Sequence, residues 1–342
     1  ELELGKNRGE RLIMSYELER RVALEAVIKA YTLCSAVQAA HLAGGVIDKE
    51  DKSPVTVADF GAQAVVSEHL YAAFPHVPLV AEEDSALLRR PENATIKEAV
   101  LKHVRMITPQ LKENETFAAI DRGNAEGGPK GRFWTLDPID GTKGFLRGDQ
   151  YAVALALIED GQVRLGILGC PSLPPASLQG QAGSLFVAVR GHGSAIRGIE
   201  EAEEREIRVA DIANPLDALF CESFESSHSS HDDMDEIVKL LGVKRPPLRM
   251  DSQAKYGILA RGDGTVYLRL PTKKAYVEKI WDHAAGCILV EEAGGRVTDL
   301  SGKPLDFSQG KTLVKNKGVI ATNGKLHEVV MNAVKSVISQ RP

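Results

Sequence analysis

Phe133-Trp134-Thr135-Leu136-Asp137-Pro138-Ile139-Asp140-Gly141-Thr142 carries an apolar strand straight into a pair of aspartates. Pro138 fixes one backbone dihedral and Gly141 permits a tight turn, so both carboxylates are held in a restricted frame. In such a turn the side chains of Asp137 and Asp140 and the carbonyl of Ile139 can converge on one point. Strand ends in layered α/β structures are where ligands collect. A second acidic signature, Trp281-Asp282-His283-Ala284-Ala285-Gly286, lies far along the chain, with small residues that let a helix pack closely. A third, Glu82-Glu83-Asp84, follows the strand-like run Pro78-Leu79-Val80-Ala81. Hard cations such as Mg²⁺ take oxygen ligands of this kind.

Each signature has a plainer reading by itself. Asp-Pro and Asp-Gly pairs form turns anyway, Glu82 to Asp84 could be a solvated acidic edge, and Asp282 could cap a helix beside an anchoring Trp281. Charge helps to decide between them. Glu82, Asp137, Asp140 and Asp282, one negative charge each, balance two divalent cations. Without metal, carboxylates brought together repel and raise each other's pKa values. A two-metal site removes that cost and suits in-line displacement at phosphorus, with ions about 4 Å apart.

Outward from this stretch the pattern is that of an α/β protein. Tyr151–Ile158, an Asp160-Gly161 turn and Val163–Leu168 read as a hairpin, and Leu185–Val189 as a further strand. Strand following strand predicts an antiparallel sheet in the first half. Residues 16–43 show helical periodicity, and a second helix is expected after Asp59, with Val66, Leu70 and Phe74 on one face. Residues 84–131 read as an excursion that covers a site. Beyond about residue 205, strands near 206–210, 217–222, 265–270, 296–299 and 318–321 alternate with helices near 232–241, 252–261, 282–293 and 325–338. The expectation is an N-terminal α+β domain over 14–204, carrying most of the acidic site, and a C-terminal α/β domain over 205–342. Residues 1–13 are set aside from this reading.

Composition limits the remaining choices. A net charge of −5 without a long basic block disfavours nucleic acid as a partner. No uninterrupted apolar run approaches a membrane span of about 18 residues, and no export leader is recognised. The four cysteines make no CxxC pair, which favours buried thiols in a reducing compartment. Cytoplasm is the expected location, with a chloroplast or mitochondrion left open.

The chain resembles the bisphosphate nucleotidase branch of the inositol monophosphatase-like, lithium-sensitive, magnesium-dependent phosphatases. The resemblance rests on an early Asp, Glu82-Glu83, Asp137–Thr142 and Trp281–Gly286, in that order. Asp51–Thr56, Gly144–Gly148 and Asp251-Ser252-Gln253-Ala254-Lys255-Tyr256 extend it over roughly residues 16 to 335, and the last two mark the nucleotidase branch. It implies a layered α/β/α/β/α sandwich of the inositol monophosphatase and fructose-1,6-bisphosphatase type. It implies two or three Mg²⁺ held by Glu82, Asp137, the Ile139 carbonyl, Asp140 and Asp282, with inhibition by Li⁺ and with Na⁺ as a second candidate inhibitor. Asp59 and Thr142 match the pair that activates the attacking water. His228, Ser252, Lys255 and Arg269 match residues that hold a nucleotide and its 5′-phosphate, with Thr142 and Asp282 also against the substrate. The implied reaction is hydrolysis of 3′-phosphoadenosine 5′-phosphate to AMP and phosphate, a step tied to sulfur assimilation, with the phosphosulfate nucleotide as a second substrate. An inositol polyphosphate 1-phosphatase and a catalytically weak nucleotide sensor are the competing readings. A monomer or homodimer is expected, without a membrane partner.

Overall fold

Strand β5 shows how the layers are built, because it is apolar on both faces. The computed structural model of the chain describes residues 2–40, 46–48, 54–175, 183–224, 231–271 and 276–339. Strands β1 (Val46–Asp48) and β2 (Pro54–Thr56) form a small antiparallel pair. Strands β3 (Leu79–Ala81), β4 (Arg132–Asp140), β5 (Ala152–Glu159), β6 (Gln162–Cys170), β7 (Ser184–Val189), β8 (Ser194–Gly198) and β9 (Arg205–Ile207) make a seven-stranded sheet in chain order. Only its first pair, β3 with β4, is parallel. Strands β10 (Phe220–Glu222), β11 (Leu248–Arg249), β12 (Val266–Arg269), β13 (Arg296–Thr298) and β14 (Val319–Thr322) make a mixed five-stranded sheet, ordered β11-β10-β12-β14-β13.

Val153, Leu155 and Leu157 of β5 enter one core, and Ala152, Ala154, Ala156 and Ile158 enter the next. This period of two, apolar on both sides, is what a sheet covered on both faces requires. The first core lies between the large sheet and helices α1 (Leu2–Ala39), α2 (Val57–Ala73), α3 (Ala94–Ile107) and α4 (Glu113–Asp121). A short helix, α5 (Thr142–Arg147), follows β4, and α6 (His231–Leu240) follows β10. The second core holds α7 (Ala254–Ala260) and α8 (Ala284–Glu292) between the two sheets. The third packs α6 and α9 (His327–Ser339) on the outer face of the small sheet. The order of layers is α/β/α/β/α, as expected.

Small residues set the spacing of the middle layer. A Cβ on Gly166 of β6 would lie 2.4 Å from Ile288 Cγ2, and one on Gly286 would lie 2.2 Å from the Tyr256 ring. Helix α8 therefore lies directly on the large sheet and against α7, and this carries its N-terminal end to the mouth of β4. The Asp160-Gly161 turn has positive φ at both positions (50° and 74°), the geometry that a two-residue hairpin favours.

Several boundaries differ from expectation. Helix α1 begins at Leu2 and ends at Ala39, so it extends through the residues set aside from the sequence reading. Its segment Tyr16–Ala39 is 24 residues long and holds an 18-residue window of mean hydropathy 1.2, enough to match a membrane span by length and composition. Glu25 and Lys29 interrupt it, so it holds no long unbroken apolar run. Half of that segment is buried, with Val22, Ala26 and Leu33 in the first core. Helix α2 starts at Val57, ahead of Asp59, and is buried nearly all round, not on one face. Residues 84–131 do not cover the acidic site: α3 and α4 pack outside α2, where Val104, Phe117 and Ile120 join the first core. The strand expected near 206–210 is β9, which pairs with β8 and closes the large sheet.

Candidate active site

Strand β4 runs through the aspartate signature and does not stop before it. Asp137 pairs with Ala154 and Asp140 with Ala152, so three steps on β4 match two on β5. This is a bulge, which re-aims side chains at the end of a strand. Pro138 sits within it, where its missing N–H costs no ladder bond. Gly141 then takes φ +89°, and a Cβ there would lie 3.0 Å from Ser252 Cβ. Glycine is required both for the backbone and for the close approach of the second half of the chain.

Glu82 leaves β3, which is parallel to β4 in a register pairing Ala81 with Leu136, so Glu82 and Asp137 emerge side by side. Asp282 lies in the turn just ahead of α8 and is not its first residue. Glu82, Asp137, Ile139, Asp140, Thr142 and Asp282 all line one cleft of about 450 Å³. Ser252, Lys255 and Arg269 line the same cleft. His228 lies outside the described residues.

Asp59 stands behind Thr142. Thr56 is the N-cap of α2, and its backbone N–H (2.8 Å) and hydroxyl (2.5 Å) both donate to Asp59 Oδ2. The other oxygen, Oδ1, lies 3.3 Å from Thr142 Oγ1, which is also 3.2 Å from the Ile139 carbonyl. The expectation placed Asp59 at the helix start. The reciprocal capping box explains its actual place, third in the helix, with one oxygen spent on the cap and one aimed at Thr142.

The electrostatics of the cleft call for cations. Burial, then the charges of Glu82, Asp140, Asp282 and Asp59, pushes the Asp137 carboxyl well above its ordinary range. Burial also raises Asp140, against the pull of Lys255 and Arg269. Asp282 is pushed up to about 8 by burial, opposed by Arg269 and reinforced by Asp140, Glu278 and Glu82. Asp137 Oδ1 is buried without a hydrogen-bond partner. Such an atom costs on the order of 1–3 kcal/mol or more. A purely oxygen donor set, fourfold negative and with an orphaned carboxylate oxygen, fits hard divalent cations such as Mg²⁺.

A second acidic group lies nearby. Glu278, Asp282 and His283 bring ligand-type atoms within 4.8 Å of one another. Arg269 already closes this group, with Nε 2.8 Å from Glu278 Oε2 and Nη2 donating to Asp282 Oδ2 at 3.2 Å. Burial would raise the Glu278 carboxyl, but Arg269 and His283 outweigh it and hold it down at about 2. The trio is an ion-pair network and not a further cation site. Sequence reading missed Glu278, although it precedes Asp282 by four residues.

Lys255 is buried and donates from Nζ to the Met250 carbonyl (3.1 Å), above the Tyr267 ring. Burial lowers its ammonium to about 8, with Asp140 and Asp251 pulling the other way. Ser252 takes φ +67°, and its Oγ accepts from Ala254 N at 3.1 Å. Its own position is ahead of α7, whose first residue is Ala254.

Fold and site together define a class. The chain belongs to the inositol monophosphatase family, which matches over residues 9–339. Among curated proteins it is similar to 3′(2′),5′-bisphosphate nucleotidases. It is 49% identical over 348 residues to one from Arabidopsis thaliana (96% of this chain, 98% of that one). It is 46% identical over 346 residues to one from Schizosaccharomyces pombe (96% and 98%). Among solved structures it shares its fold with an IMPase from Thermotoga maritima, at TM-score 0.65, 23% identity and coverage of 93% and 96%.

Proposed function

We infer that the chain is a Mg²⁺-dependent phosphatase that removes the 3′-phosphate of 3′-phosphoadenosine 5′-phosphate, giving AMP and phosphate. The observation that carries this reading is the convergence of Glu82, Asp137, Asp140 and Asp282 with Thr142 on a cleft that Lys255 also lines. Near-full-length similarity to bisphosphate nucleotidases selects the nucleotide among the substrates of the family. Bound cations would acidify the attacking water and neutralise charge on the phosphoryl oxygens. Glu82, Asp137, Asp140, Asp282 and the Ile139 carbonyl would hold them.

Thr142 and Asp59 handle the proton. As water attacks phosphorus, Thr142 Oγ1 takes a proton from it and passes its own to Asp59 Oδ1, 3.3 Å away. Meanwhile the bond from phosphorus to the ribose 3′-oxygen breaks, and that oxygen leaves, taking a proton from solvent to become the 3′-hydroxyl of AMP. The two Thr56 contacts keep Asp59 from rotating. Lys255 and Ser252 face the 5′-phosphate, with Arg269 beside them. An ammonium suits a dianion as a point charge. The phosphosulfate nucleotide keeps the same 3′-phosphate and serves as a second substrate. Four free, buried cysteines fit a reducing compartment, the cytosol in this reading.

The test is phosphate release from 3′-phosphoadenosine 5′-phosphate beside inositol 1,4-bisphosphate. Faster turnover of the nucleotide is expected, with inhibition by Li⁺ competing for a Mg²⁺ position. Preference for the inositol phosphate would overturn the assignment. Replacing Lys255 by Met keeps its buried stem and removes the charge. The loss of a charge-assisted contact, about 1.5–3 kcal/mol, should raise the nucleotide KM by roughly 10–100-fold with kcat little changed. An unchanged KM would remove Lys255 from the substrate.

A further inference from the structure

Two buried glutamines outside the ligand set brace the backbone on either side of it. Gln63 of α2 donates from Nε2 to the carbonyls of Glu83 and of Ile120 (2.8 Å) and accepts the Glu83 N–H at Oε1 (2.9 Å). Both backbone groups of Glu83 are thereby tied, one residue past Glu82. Gln253 does the same near Asp282. Its Nε2 donates to the Trp281 carbonyl (2.8 Å), and its Oε1 accepts the Gly286 N–H (3.1 Å). Its own backbone N–H donates to Asp140 Oδ2 at 2.5 Å. One residue thus links the end of β4 to the turn that carries Asp282.

In both brackets the amide has a single orientation that satisfies donors and acceptor together, so a flip is excluded by the partners themselves. The surroundings are shaped for it: a Cβ on Gly123 would come 2.6 Å from Gln63 Nε2. Gln63 and Gln253 are 0% and 2% exposed. Carboxylates from separate segments repel, and the backbone holding them must resist that force whenever charge is not balanced.

The geometry points to Gln63 and Gln253 as positioning residues that fix the separation of Glu82, Asp140 and Asp282 and so set the affinity of the cleft for divalent cations. This rests on the reading that those carboxylates bind cations. Partners of metal ligands typically contribute 10–100-fold to affinity. Asn323 supplies a matched control: it is buried, donates to the Ala210 and Ile212 carbonyls, accepts from Leu326 N, and lies outside the cleft.

The experiment is calorimetric titration of Mn²⁺ into metal-stripped full-length protein, with melting temperatures recorded in parallel. Gln63→Met and Gln253→Met, close in shape but unable to form the brackets, should each bind Mn²⁺ about 10–100-fold more weakly. Asn323→Leu should lower the melting temperature and leave Mn²⁺ affinity as in the wild type. Glutamine variants that lose stability as Asn323→Leu does, yet bind Mn²⁺ like the wild type, would overturn the inference. Should a Met variant not fold, Gln63→Asn and Gln253→Asn, each one methylene too short to span its bracket, are read in the same way. A wild-type protein that binds no Mn²⁺ would instead refute the cation site, and the inference with it.

Discussion

Asp137→Asn is expected to lower phosphate release by about 10³-fold, some 4 kcal/mol of transition-state stabilisation, while raising the melting temperature of the metal-stripped protein. The two effects have one cause. Asp137 is 2% exposed, is surrounded by the charges of Glu82, Asp140, Asp282 and Asp59, and has one oxygen without a partner. An amide keeps the shape and removes the repulsion. Each kcal/mol relieved should raise the melting temperature by about 2–4 °C. Thermal denaturation in EDTA and steady-state turnover in saturating Mg²⁺ check the two halves. Full activity would remove Asp137 from the cation site, and a lowered melting temperature in EDTA would show that the carboxylates are not in conflict.

Thr142→Val is expected to reduce kcat by about 10²–10⁴-fold, the usual contribution of a positioned proton acceptor. The nucleotide KM should change much less, since the methyl-for-hydroxyl exchange leaves the rest of the cleft intact. Asp59→Asn should match it, because Asp59 reaches the attacking water through the 3.3 Å contact with Thr142 Oγ1. Residues acting as one unit are not additive, so the double variant should be about as slow as either single one. Single-turnover rates of the three variants decide this. A double variant slowed by the product of the two effects would mean that Asp59 and Thr142 act separately.

The parts legible in the sequence are those with a local signal. The hairpin of β5 and β6 is marked by two apolar runs about an Asp-Gly turn, and the β4 signature by Pro138 and Gly141. Helices α6, α8 and α9 lie within a few residues of where the alternation of strands and helices beyond residue 205 predicts them. The layered architecture and the family came from the motifs. Other features had no local mark. Strand β11 is two residues and shows no period, and β9, expected as a strand, is three residues that give no sign of its pairing with β8 in the large sheet. The capping box that turns Asp59 toward Thr142 depends on where α2 begins, and helix starts are set by a single residue, here Thr56.

Arg269 illustrates the remaining gap. The resemblance places it against the nucleotide, and its pairing with Glu278 and Asp282, spread over fourteen positions of chain, has no mark in the sequence. Gln63 and Gln253 are the same kind of case. Gln253 lay inside a recognised motif without a role, and Gln63 in an unremarkable helix, because their partners Trp281, Gly286, Glu83 and Ile120 are distant in sequence. Composition and spacing cannot encode a contact that exists only after both sheets are stacked.

The central claim is that carboxylates from the large sheet and from the turn ahead of α8 share divalent cations in one cleft. Crystals of the protein soaked in Mn²⁺ and measured at the manganese absorption edge test it directly. The account predicts anomalous peaks within about 2.0–2.3 Å of oxygens from Glu82, Asp137, Asp140 and Asp282. Manganese absent from that cleft, or held only by Glu278 and His283, would contradict it.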